Sequence, residues 1–128
     1  MSHFSQIKTQ IRDLDCLKAA LTDLDISWKS GDQPIQGYNG QTCQAEVAIS
    51  QTNGHEIGFS WNGQAYELVA DLQFWQQAVP VDLFLRKVTQ RYAYNAVMNQ
   101  TAQQGFQLAE QQNNQDGSIR LVLQRWSA

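Results

Sequence analysis

Two histidines, two cysteines and a spread of carboxylates are the residues with which this chain could do acid–base, nucleophilic or metal chemistry. His3 stands near the start of the chain, and His55 follows Asn53-Gly54 in a turn. Neither has a carboxylate or thiol at a spacing that one helix or strand would bring alongside it, as a general base or a metal ligand requires. Cys16 falls in a helix-like run and Cys43 just ahead of a strand, with no Cys or His partner at zinc-ligand spacing. A disulfide between them is not expected in a chain without marks of secretion. The serines and threonines lack a nucleophile-elbow pattern. Gly37 and Gly40 bracket Tyr38-Asn39 and open no helix, so they make no phosphate loop. An acid–base pair of Glu46 and Glu67 across a meander comes nearest to a catalytic constellation, but carboxylates in such places ordinarily serve as caps and solubilisers. No catalytic, cofactor-binding or metal-binding residue is assigned, and these residue types weigh against an enzyme.

The aromatic residues are more informative. Trp28, Trp61, Trp75 and Trp126, with Tyr38, Tyr66, Tyr92 and Tyr94, are many for 128 residues. Core packing accounts for Trp61, Tyr66 and Tyr92. Trp75 and Tyr94 are expected at the surface. With Arg86 and Arg91 they form the kind of set that protein interfaces use as anchors. Adding Met98 gives a candidate interaction surface of Trp75, Arg86, Arg91, Tyr94 and Met98. Arginine beside an aromatic ring also suits stacking on single-stranded RNA. A net charge of −3 and a pI near 5.2 weigh against that alternative.

One element must position this set. Pro80 fixes the chain before a helix, Asp82 places a negative charge in its first turn, and nothing breaks the run from Val81 to Gln104. Gly105 then stands where a helix end takes a left-handed residue. At about 100° per residue, Leu85, Val88, Tyr92 and Ala96 share one face. Leu83, Tyr94, Val97 and Met98 gather on nearly the opposite one. A surface helix shows a single apolar stripe. The second stripe is either covered by a loop of the same chain or left for a protein partner or a second copy.

The rest of the chain reads as follows. Phe4 to Ile11 alternates as a strand, and Asp13 caps a short helix from Leu14 to Leu24, with Asp15 in its first turn. Ile26 to Lys29 is a second short strand. Ser30 to Gln41 is an ordered loop anchored by Ile35 and Tyr38, with a few strand residues around them. Asn53-Gly54 and Asn62-Gly63 divide Ala45–Gln51, Glu56–Trp61 and Gln64–Ala70 into a three-stranded meander. A tight second turn places Phe59 opposite Tyr66 and Ile57 opposite Leu68. One extra residue in the first turn places Ile49 opposite Phe59 and Val47 opposite Trp61. The buried face is then Val47, Ile49, Ile57, Phe59, Trp61, Tyr66 and Leu68. Asp71 to Val79 is a helical turn or an extended lid. Phe106–Gln112 and Ser118–Trp126 form a closing hairpin around Asp116-Gly117. The fold class is α+β: a mostly antiparallel sheet with two helices packed on one face, with a ferredoxin-like flavour and residues 1–128 as one globular domain.

Charged residues make up only 16% of the chain, and glutamine takes their place, which solvates a surface without repelling a neighbour. The start of the chain lacks the basic and apolar regions of a signal peptide, and no apolar run approaches the roughly 18 residues of a membrane span. A cytoplasmic protein is expected.

Several separate stretches carry a family resemblance. They are Met1-Ser2-His3-Phe4-Ser5, Gly58-Phe59-Ser60-Trp61-Asn62-Gly63, Tyr66-Glu67-Leu68-Val69-Ala70-Asp71, Thr89-Gln90-Arg91-Tyr92-Ala93-Tyr94, Asp116-Gly117-Ser118-Ile119-Arg120-Leu121 and Gln124-Arg125-Trp126. In these the chain resembles, over its whole length, the hypothetical chloroplast reading frame thirty-five family of cyanobacteria and algal plastids. The resemblance implies a cytoplasmic or stromal protein of a photosynthetic cell, and it carries no catalytic residue onto this chain. The expected function is binding, assembly or regulation by protein–protein contact. The alternatives are a small-molecule enzyme or electron-transfer accessory with a pocket between sheet and helices, and an RNA-binding regulator.

Overall fold

Local capping chemistry fixes the first helix. Asp13 is extended, and its carboxylate accepts the Cys16 amide at 3.0 Å, so helix α1 runs over Leu14–Asp23. The computed structural model describes residues 3–31, 34–37 and 40–125, without the side chains of 106–109. The Tyr38 anchor and the Trp126 end of the last strand lie outside the described residues. Strand β1 is Ser5–Lys8, β2 Lys29–Ser30, β3 Ile35–Gln36, β4 Thr42–Cys43, β5 Val47–Ile49, β6 Ile57–Trp61 and β7 Tyr66–Ala70. A single 3-10 turn over Leu72–Phe74, capped by the Asp71 carboxylate, leads to helix α2, Val81–Gln103. Strands β8, Phe106–Asn113, and β9, Ile119–Arg125, close the chain. Gly105 takes φ +83 after α2, as expected of a left-handed helix end.

Five strands form the main sheet in the order β1-β7-β6-β5-β2, with every pairing antiparallel. No parallel crossover occurs among the described residues, so the ferredoxin-like order does not hold. The closing hairpin stands apart as its own two-stranded sheet, as does the β3–β4 pair.

Both meander registers differ from expectation by two residues. Phe59 lies opposite Leu68 and Trp61 opposite Tyr66, because the Asn62-Gly63 connection holds four residues. Asn62 closes it: its amide donates to the Ala65 carbonyl, and its side-chain oxygen accepts the amides of Gln64 and Ala65. At the first turn Val47 lies opposite Phe59 and Ile49 opposite Ile57. There the side chain of Gln51 bonds the carbonyls of His55 and Phe74, and so holds a long loop. A shift of two leaves every side chain on its expected face. Val47, Ile49, Ile57, Phe59, Tyr66 and Leu68 are buried, but Trp61, at the sheet rim, is 42% exposed.

That face carries Leu17 and Leu21 of α1 and Phe84 and Val88 of α2, so both helices lie on one side of the sheet. The other side is narrower. Ala45, Ala48 and Val69 pack there against Ile35 of the β3–β4 arm. Gly58 makes this close approach feasible: a Cβ on it would stand 2.5 Å from the Val47 carbonyl oxygen and 2.9 Å from the Ala45 Cβ. Gly58→Ala is therefore expected to destabilise the protein by about 1–3 kcal/mol through overpacking. Urea denaturation checks this, and an unchanged midpoint would contradict the close approach.

Candidate functional site

Helix α2 is tied down along one flank by contacts that reach far along the chain. The Tyr92 hydroxyl accepts the backbone amides of Arg12 and Asp13, each at 3.1 Å, at the start of α1. Arg91 Nε donates to Asp23 Oδ2 at 2.8 Å, and Asn95 Nδ2 donates to the same oxygen at 3.1 Å. Further on, Asn99 Nδ2 reaches Cys16 Sγ at 3.6 Å. Both donors onto Asp23, Arg91 first, hold its carboxyl below the usual range.

On the other flank α2 meets the hairpin. A groove of about 270 Å³ lies between them, lined by Gln90, Ala93, Tyr94 and Val97 of the helix and Ser118, Ile119 and Leu121 of the hairpin. The second apolar stripe expected from the sequence is thus partly roofed by the same chain. Tyr94 and Met98 are half-buried, and Val97 remains 39% exposed. The Arg91 guanidinium lies 4.3 Å from the centre of the Tyr94 ring, a cation–π contact that holds the ring in place. Gln90 also borders a shallow cleft with Lys8, Asp82 and Arg86, so one groove leads into the other. Arg86 is exposed in that cleft.

Trp75 departs from expectation. It is half-buried and packed against the core, edge-on to Phe84 at 5.1 Å, and its indole donates to the Val79 carbonyl at 2.8 Å. An aromatic ring whose N–H is bonded and whose face is covered is a packing residue. The sequence also passed over Phe84, a core side chain 3% exposed, one position from the stripe that contains Leu85 and Val88.

The reactive residue types are held apart. His55 stacks flat on Phe74, with ring centres 4.1 Å apart. Glu46 spends one carboxylate oxygen on the Trp61 amide at 2.8 Å, while Glu67 lies opposite Ser60 and Lys8 on β7. No hydrogen bond or common partner joins Glu46 to Glu67 among the described residues. Cys16 and Cys43 are both free. Burial, followed by a nearby carboxylate (Asp13 for Cys16, Glu46 for Cys43), raises both thiols above their ordinary value, so they stay protonated at neutral pH.

Among the described residues the notable surface of this α+β fold is an apolar groove and not a cluster of reactive groups. The chain belongs to the family described as Protein of unknown function (DUF1257), whose model matches residues 20–122. It is 50% identical over 126 residues to the Uncharacterized protein ycf35 of Guillardia theta, covering 98% of each chain. It is 43% identical to the protein of that name in Pyropia yezoensis, covering 99% of each chain, and 42% identical to that of Cyanophora paradoxa, covering 98% of each. The family resemblance read from the sequence is therefore correct, and its relatives are plastid-encoded in algae. No solved structure matches the chain. Among the described residues no helix is long and apolar enough to cross a membrane.

The Asp23–Arg91 pair carries a pH dependence. Its carboxyl titrates lower in the folded chain than in the unfolded one, so the pair stabilises above about pH 4 and its contribution is lost as pH falls through the lowered native value. Both groups are about a third exposed, so water screens the pair to about 0.2–1 kcal/mol at neutral pH. The stability gap between wild type and Arg91→Gln should narrow as pH is lowered below about 4. Denaturation at several pH values measures it, and a gap independent of pH would show that the pair contributes nothing.

Proposed function

We propose that the protein is a non-enzymatic binding or assembly protein of a photosynthetic cell, cytoplasmic or stromal, working as one domain by protein–protein contact. The contact face is the outward side of α2, with Tyr94, Val97 and Met98 at its apolar end and Arg86 and Lys8 at its basic end. The observation that carries this reading is the groove beside α2, where an apolar helix face is roofed by the hairpin without being sealed. Apolar side chains left partly in water, rimmed by arginine and an aromatic ring, are what a partner covers with gain. Arg86 and Lys8 have no ion-pair partner among the described residues, in a chain of net charge −3. The partner is accordingly a protein segment with apolar side chains followed by acidic ones. The plastid-encoded relatives support the cellular setting. Trp75 is left out of this face because its ring and N–H are already engaged.

Affinity purification from a photosynthetic cell, read by mass spectrometry, compares wild type with the Tyr94→Ala/Met98→Ala double variant. Truncating interface anchors of this kind costs about 2 kcal/mol or more of binding, so the proteins retained by wild type should fall at least about tenfold. The thermal midpoint should hardly move, since both side chains are only half-buried. A large drop in midpoint, or an unchanged set of retained proteins, would reject the face.

A further inference from the structure

The edges of the main sheet and the edge of the hairpin are built differently. The outer strands of the main sheet are β1, four residues bearing Lys8, and β2, two residues bearing Lys29. Short, lysine-bearing edges resist pairing with another chain. Strand β9 is longer, seven residues, and its only charges are Arg120 and Arg125, with no proline, lysine or acid. Its partner β8 carries a bulge between Leu108 and Glu110. Ile119 and Leu121 of β9, with Ser118 before them, face α2 across the groove. The outer side of β9 has no strand beside it among the described residues.

The direction of its backbone follows from the turn. Gly117 donates to the Asn114 carbonyl and Asn114 to the Ser118 carbonyl, with Gly117 at φ +90, a three-residue loop closed by a bulged glycine. Antiparallel pairs alternate in bonding, so Arg120 and Val122 turn their amides and carbonyls toward β8. Ile119, Leu121 and Leu123 turn theirs outward. No hydrogen bond reaches these outward groups among the described residues.

The sequence of β9 is self-complementary about its midpoint. Laid antiparallel to a copy of itself on a two-fold axis through Val122, all seven positions pair. Leu121 meets Leu123, Arg120 meets Gln124, and Val122 meets itself. No like charges face each other, and the outward groups of Leu121 and Leu123 fall opposite one another as a hydrogen-bonded pair. A two-fold contact of this kind closes at two copies. We infer that β9 is a self-association edge, through which two copies of this chain join their hairpins into one four-stranded sheet. The inference uses the backbone edge of β9, whereas the groove beside α2 uses the side chains of Ile119 and Leu121 on the same strand.

Sedimentation velocity on the full chain should find a concentration-dependent dimer. Gln124→Arg sets a new cation opposite Arg120 of the second copy, twice per dimer, and Gln124→Glu sets an anion there. At about 0.2–1 kcal/mol per cross-strand pair, the dissociation constant should rise roughly two- to thirtyfold for the first and fall by a similar factor for the second. Val122 lies at the close, non-hydrogen-bonded position, with about 4.5 Å between the two Cα atoms, which suits a disulfide. In a Cys43→Ser background, Val122→Cys should therefore oxidise to a covalent dimer faster than Arg120→Cys, which has no copy of itself opposite. A monomer at every concentration overturns the inference. So does a dimer indifferent to both charges at position 124, or equal oxidation of the two cysteine variants.

Discussion

The length of α2 relative to the sheet beneath it governs the architecture. Twenty-three residues at 1.5 Å each make a rod of about 34 Å, whereas a five-residue strand such as β7 spans about 17 Å. Only the first half of the helix finds sheet to lie on, and its fully buried apolar residues, Phe84 and Val88, fall there. The second half overhangs. Its side chains must be solvated, tied to α1 or covered by whatever follows in the chain. All three outcomes are present: Gln100 in water, Asn99 on Cys16, and Tyr94 and Val97 under the hairpin.

The overhang also explains why polar contacts cluster where they do. Over the sheet, apolar burial fixes α2 against α1 without help. Beyond Val88 the two helices are joined by the Tyr92 hydroxyl, the Asp23 carboxylate and the Cys16 sulfur, each accepting from the other helix or its approach. Each such bond adds only about 0.5–1.5 kcal/mol. Their value lies in direction, because they fix the rotation of α2 about its axis and so decide which residues face the groove. Arg91 serves both sides of this arrangement, bonded to Asp23 on one and stacked on Tyr94 on the other.

What was legible in the sequence was what neighbouring residues determine. Asp13 as a cap, the span of α2, the left-handed Gly105 and the turn at Asp116-Gly117 all rest on interactions within a few positions. The faces of the meander were legible too, because alternation survives a slip of two. The register itself was not: the side chains of Asn62 and Gln51 hold longer turns than Asn-Gly alone implies. Exposure failed for Trp75 because its acceptor, the Val79 carbonyl, and its ring partner Phe84 come from the turn and helix that follow. The second stripe on α2 was plain from its period, but not the identity of its cover. The roof is a hairpin whose two strands and turn were legible, but not the helix face on which it would sit.

The groove and the β9 edge are incomplete in different ways, and this bears on what each can recognise. The groove offers apolar area, whose burial is favourable in proportion to size and tolerant of the shape that fills it. A strand edge offers a row of alternating donors and acceptors, which only another extended backbone can satisfy and only in discrete registers. The first can accept side chains from many folds. The second discriminates by register and by the residues opposite, as Arg120 and Gln124 do across the axis at Val122. Both surfaces belong to the hairpin, which an isolated two-stranded ribbon could not hold in place without the helix beneath it. Contact at one surface therefore bears on the other through the angle at which the hairpin sits on α2, with Gln90 beneath Gly117, 2.8 Å from where a Cβ would stand, at the point where the two meet.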